Sequence, residues 1–295
     1  MASMWRLGGL SPWRLVVRVL RQAARDDLVG RAAELAFFFL FAVFPLLLFL
    51  TTLLGYLAQE NWGLRRELFQ WVANVSPSGD VTSLLRDTLR EITDARGSAK
   101  LSFGLVAALV LASNGMEAVG RSLNVACGLQ ESRPWWWRRA ISLGLVAVFG
   151  LLTVAALVLV FFGTWITDWL SLQLGLAPAF VALWHWLQWT LVLFFVVLAF
   201  DLVYNFAPNL ARRHRVWLTP GSCVALVLWL VVSFALRGYL SEFGVFTRTY
   251  GSLGAVIALL LWFYLTAAAL LVGGEVNSEI ALASLGDASR ADRSR

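Results

Sequence analysis

Between Arg248 and Glu275 lie 26 consecutive residues without a charge. A water-soluble domain has no use for such a run, whereas a bilayer span needs about 20 predominantly apolar residues. The stretch from Tyr250 to Glu279 therefore reads as a membrane helix, and the other long apolar runs of the chain must be read in the same light. Gly251, Gly254, Ala255 and Ala258 give its start a small-residue face. Such a face lets a second helix approach closely where lipid supplies no hydrophobic drive for helix association.

Composition agrees. Of the 295 residues 59% are hydrophobic and 14% charged, with mean hydropathy +0.73, against about a quarter charged in soluble domains. The expected fold is an all-α polytopic membrane protein of six transmembrane helices, with an N-terminal interfacial helix and an outer helical loop. The net charge of +6 raises nucleic acid as a partner, but the arginines flank apolar runs, which is the pattern of membrane orientation. Membrane lipids and an amphiphilic substrate are the expected partners, and nucleic acid is not. Cys127 and Cys223 have neither metal spacing nor a disulfide framework. The first long apolar run far exceeds the core of a cleavable signal and is expected to remain as a span.

In chain order, residues 1–33 form an amphipathic segment, with Ser11 as N-cap and Pro12 at the first helical position of a helix over residues 11–29. Arg14, Arg18, Arg21 and Arg25 fall on one stripe, suited to lipid headgroups, while Trp13, Val16, Val17, Leu20 and Ala24 fall on another. The six-span domain covers residues 34–282. Span 1 runs from Leu35 to Ala58, entered at Glu34, and Pro45 should kink it near the bilayer midplane. Residues 59–100 are the outer loop, with amphipathic helices over 62–75 and 80–93. Span 2 is short, from Lys100 to Glu117 with continuation toward Val125, and places Glu117 and Arg121 at an i, i+4 spacing where they can pair. Span 3 starts at Ala140 after a basic turn over residues 133–139, span 4 covers Phe180 to Tyr204, and span 5 covers Val216 to Leu236. Residues 283–295 read as a disordered tail.

On alternating sides of six spans, the side holding both termini carries 16 Lys and Arg and the other 8. Both termini are thus expected in the cytoplasm. That topology brings Glu34, Glu117, Asp201 and Glu275 to the cytoplasmic ends of four helices, with Arg31, Arg121 and Arg215 as counter-charges. Ionisable groups inside spans are expensive unless paired or wet. The acids, with Asn114, Arg121, Tyr204 and Asn277, are candidates for an inward-facing polar vestibule. The plainer alternative is that they are hydrated anchors at headgroup depth.

Enzyme chemistry finds little purchase. His185 and His214 are the two histidines, and they cannot build a metal-ligand cluster with the boundary carboxylates. There is no G-x-x-x-x-G-K phosphate loop and no G-x-S-x-G elbow. No catalytic residue, metal or cofactor is expected.

Several segments in fixed order resemble the YihY/BrkB family of bacterial inner-membrane proteins, once labelled ribonuclease BN. They are Ala33-Glu34-Leu35-Ala36-Phe37 with Phe44-Pro45-Leu46-Leu47, Glu117 to Asn124, Arg133-Pro134-Trp135, Tyr204 to Asn209, Pro220-Gly221, and Tyr250 to Ala255 continuing through Trp262, Gly273, Glu275 and Asn277. The resemblance implies six spans and the bacterial cytoplasmic membrane, and points toward transport or export of a lipid or other amphiphile. It treats the nuclease label as a misassignment and carries no role to Asp201. The competing reading is a non-transporting envelope scaffold that binds lipids or proteins.

Overall fold

The computed structural model describes residues 5, 7–60, 98–174, 178–210, 216–242 and 252–293. Every regular element among them is helical. A 3-10 turn, Leu7–Gly9, precedes α1 (Pro12–Arg25), α2 (Leu28–Glu60), α3 (Ser98–Ala126), α4 (Trp135–Leu174), α5 (Pro178–Phe206), α6 (Pro220–Glu242) and α7 (Ser252–Arg293). Helices α2 to α7 each contain a stretch long and apolar enough to cross a bilayer, where backbone groups must be bonded within the segment. This is a polytopic membrane fold.

The helices are longer than their apolar runs, because backbone hydrogen bonding continues into the polar boundary. α2 begins at Leu28, so Glu34 lies inside the helix and not at its entrance. The same helix includes Pro45. α4 begins at Trp135, so the tryptophans and Arg138-Arg139 form its first turns and not a basic connection. α6 begins four residues later than expected, at Pro220, leaving residues 216–219 as a loop. α7 continues to Arg293, so the segment read as a disordered tail is helical through that residue. The outer-loop helices expected over 62–75 and 80–93 lie outside the described residues.

Two compact units divide the chain, residues 1–37 with 113–295 and residues 38–112. The first carries everything that follows. Within it α6 packs along α7, α4 along α5, α5 also meets α6, and the 3-10 turn and α1 both pack on α7. The backbones approach closely where α6 crosses α7. A Cβ on Gly273 would collide with the Tyr204 hydroxyl and the Gly221 carbonyl, and one on Gly221 with the Gly273 carbonyl and the Asn277 amide. Small residues do hold helices together here, but this crossing lies some twenty residues beyond the face expected at the start of the span. There, Gly254 is buried and Ala258 half-buried, and Gly251 is outside the described residues.

Helix α1 starts as its sequence dictates. Ser11 Oγ accepts the Arg14 amide at 3.4 Å, and Pro12 occupies the first helical position. Its docked edge is Leu15 and Val19, packed on Val276 and Ile280 of α7 with Leu7, Leu10, Val224 and Val272 around them. Neither Leu15 nor Val19 belongs to the apolar stripe identified from periodicity.

Candidate functional site: a polar lock beside an apolar cavity

Thr219-Pro220 opens α6 as Ser11-Pro12 opens α1, with a hydroxyl cap and a proline at the first helical position. Thr219 Oγ1 accepts the Ser222 amide at 3.2 Å. The orphan amide of Gly221, one residue earlier, is met from another helix by Asn277 Oδ1 at 2.9 Å. Asn277 Nδ2 also donates to Thr219 Oγ1 at 3.0 Å. From α5, Asp201 is 2% exposed and receives three donors: the Leu218 amide at 2.7 Å, the Thr219 amide at 3.2 Å and the Thr219 hydroxyl at 3.0 Å. A carboxylate at a helix N-terminus is favoured by the unpaired amides and by the helix dipole together.

One turn further along α5, Asn205 exchanges two hydrogen bonds with the backbone of Val216 at 2.8 and 3.0 Å. Tyr204 donates to the Leu270 carbonyl of α7 at 2.7 Å and stacks on Phe200. Asp201, Tyr204, Asn205, Thr219 and Asn277 thus bind three helices and the 216–219 loop into one lock. Leu218 sits in that loop at φ +53°, a conformation unfavourable for a bulky side chain, and its amide is the one held most closely by Asp201.

A second set of bonds ties the α3–α4 connection to the end of α5. Asn124 donates to Glu131 at 2.9 Å and accepts the Asn209 amide at 2.6 Å. Arg133 grips both oxygens of Glu131, at 2.8 and 2.7 Å, and donates to the Ala207 carbonyl at 2.8 Å. Hydrogen bonds from Arg133, first of all, hold the Glu131 carboxyl down at about 2. Arg133 serves as a C-cap supplied from elsewhere, satisfying carbonyls that α5 leaves open.

The remaining candidates are placed separately. Glu34 pairs with Arg121 at 2.9 Å, both nearly half exposed. Glu117 pairs with Arg138 at 3.7 Å and not with Arg121. The i, i+4 spacing permitted a pair, but Glu34 takes the guanidinium. Asn114 accepts from Arg139 at 2.6 Å. Glu117 and Arg121 border a recess of only about 10 Å³, at the lower limit for a single water. Arg31 donates to the Asp26 carbonyl at 2.7 Å, and Arg215 and His214 lie outside the described residues. Glu275 is 2% exposed, and its Oε2 has no hydrogen-bond partner among the described residues.

Beside the lock is a cavity of about 270 Å³, walled by α3, α5, α7 and the loops that follow α3, follow α5 and precede α6. Tyr204, Asn205, Thr219, Asn277 and Ser278 reach it, as do Leu123, Cys127, Leu210, Gly274, Ala281 and Leu282. The hydroxyls of Tyr204, Thr219 and Ser278 and both amide hydrogens of Asn205 are already donated to protein acceptors. What the walls offer a guest is therefore chiefly hydrocarbon. Burial pushes the Cys127 thiol up to about 11, as expected of an apolar surface. The volume is just under the roughly 300 Å³ where small-molecule sites begin, and suits one arm of a ligand better than a whole lipid. Among the described residues no group of three His, Cys, Asp or Glu is arranged to hold a metal.

Sequence reading missed Asn124, Glu131, Arg133, Asn205 and Thr219 as parts of a site. The Thr-Pro pair was the available signal for Thr219, obscured because the apolar run already begins at Val216.

The family model described as Virulence factor BrkB matches residues 19–295. The protein named Putative ribonuclease-like protein YfkH of Bacillus subtilis (strain 168) is 35% identical over 249 residues, covering 84% of this chain and 88% of that one. A UPF0761 membrane protein of Xanthomonas campestris pv. campestris (strain B100) is 27% identical over 272 residues, covering 88% of this chain and 59% of its own length. Another, from Stenotrophomonas maltophilia (strain K279a), is 27% identical over 270 residues, covering 87% of this chain and 58% of that protein. This chain thus spans more than half, but less than two thirds, of those two relatives. No solved structure matches it. With the family match running through nearly every element described above, the chain belongs to the YihY/BrkB family of multi-pass membrane proteins.

Proposed function

We propose that the protein is a carrier of an amphiphile, a lipid or a molecule with a lipid-like arm, in the bacterial cytoplasmic membrane, with both termini in the cytoplasm. The observation that carries this reading is the 270 Å³ cavity whose polar wall groups are bonded to the protein. Such a space favours an apolar arm and leaves a polar head outside. The surplus of Lys and Arg on the side of the termini supports the orientation. Ribonuclease chemistry is disfavoured, because among the described residues no group of three His, Cys, Asp or Glu is arranged to hold a metal.

The test is leaflet exchange of fluorescent lipids and detergents in liposomes, comparing wild type with Ala281→Trp, which would fill the cavity. The expected result is exchange well above protein-free liposomes, cut at least about tenfold by the substitution. Exchange no faster than in empty liposomes would sink the carrier reading. It would favour an envelope scaffold, for which the interlocked Asn124–Asn209 and Arg133–Ala207 loops already supply a rigid frame.

A further inference from the structure

Docking on α7 fixes how α1 is turned about its own axis, and that rotation sorts its residues by chemistry. At about 100° per residue, Leu15 and Val19 define the docked edge at roughly 0–40°. Val16, Leu20, Trp13, Ala24 and Val17 then fill roughly 100–200°, and Arg21, Arg14, Arg25 and Arg18 fill roughly 240–300°. The middle sector is not covered by any of the described residues, with Trp13 75% and Leu20 66% exposed. The arginine sector is also exposed, and Arg18 only grazes Glu279 at 3.9 Å.

Depth agrees with this sorting. The apolar span of α7 ends at Ser284, so contacts at Val276 and Ile280 fall roughly 6–12 Å inside that end at 1.5 Å per residue. An interfacial helix sinks its apolar face about 5–10 Å into the boundary between headgroups and acyl chains. An uncovered apolar sector, an adjoining row of four arginines and this depth fit one occupant, the anionic surface of the bilayer that α2 to α7 cross.

We propose that α1 lies in an anionic leaflet, with Trp13, Val16 and Leu20 among the acyl chains and Arg14, Arg18, Arg21 and Arg25 on lipid phosphates. Leu15 and Val19 hold it against α7. This holds whatever fills the cavity. Each arginine near an anionic surface strengthens binding by about fivefold.

Protein with Cys127→Ala and Cys223→Ala is spin-labelled at Leu20→Cys or Arg21→Cys in nanodiscs of phosphatidylcholine, with or without phosphatidylglycerol. Electron-spin relaxation by oxygen and by a water-soluble nickel chelate then reports depth. The expected result is a Leu20 label favouring oxygen and an Arg21 label favouring nickel. Replacing the four arginines by glutamine should reduce phosphatidylglycerol co-isolated in native mass spectrometry by at least about tenfold, with the thermal midpoint unchanged. A Leu20 label open to nickel in both nanodiscs would overturn the proposal. So would one shielded from both agents, which marks a protein partner or second copy, or unchanged phosphatidylglycerol retention in the glutamine variant.

Discussion

Asp201 and Glu275 are each 2% exposed, each on a membrane-spanning helix, and each near the end where the loops interlock. Their surroundings are opposite. Asp201 receives three donors and closes the start of α6, whereas Glu275 keeps an oxygen with no partner. A buried polar group that is bonded rigidifies what it touches, while one left unbonded carries a desolvation penalty without return. The lock around Asp201 is thus architecture. Glu275 is the acid whose cost calls for a functional explanation, because burial of this kind persists in membranes mainly where a site needs it.

The comparison breaks most readily at Asp201. Asp201→Ala leaves the Leu218 and Thr219 donors unmet and should cost about 3–5 kcal/mol, a fall of roughly 10 °C or more in the thermal midpoint in detergent. A shift under about 2 °C would show that the lock does not hold the bundle. Gly273→Ala tests the same assembly through its backbone. The added methyl must displace Tyr204 or part α6 from α7, at about 1–3 kcal/mol, and a neutral result would refute the close crossing.

Acid should loosen the loop latch. The folded Glu131 carboxyl lies at about 2, below its ordinary 4.5. Its contribution is therefore complete above pH 4.5 and lost as pH falls from 4.5 through 2. Arg133→Gln should flatten stability over that window, and an unchanged pH profile would remove the latch from the account. The smallest effect belongs to Glu275→Gln, which keeps the shape and deletes the charge. Its stability should fall by less than about 1 kcal/mol, or rise. A loss as large as that of Asp201→Ala would erase the distinction between the two acids.

The spans were legible because their signal is the length and purity of apolar runs. Helix ends were less so, since polar side chains do not end a helix whose backbone remains bonded. Residues 28–34 and 283–293 were assigned outside the spans for that reason. The lock was half legible. Asp201, Tyr204 and Asn277 stood out as polar groups in greasy helices, but their partners are backbone amides and carbonyls, which carry no residue-type signature. Periodicity marked α1 as amphipathic without saying which apolar residues dock, because Leu15 and Val19 look no different in composition from Val16 and Leu20.

The amino-acid sequence by itself determined that this chain lives in a bilayer as six apolar helices, because transfer of long uncharged runs out of water depends only on composition along the chain. Tertiary structure alone decided which buried acid has both oxygens bonded and which keeps one without a partner, where α6 and α7 touch, and which sector of α1 is left uncovered. Those outcomes depend on distances of a few ångströms between residues far apart in sequence, and no local pattern encodes them.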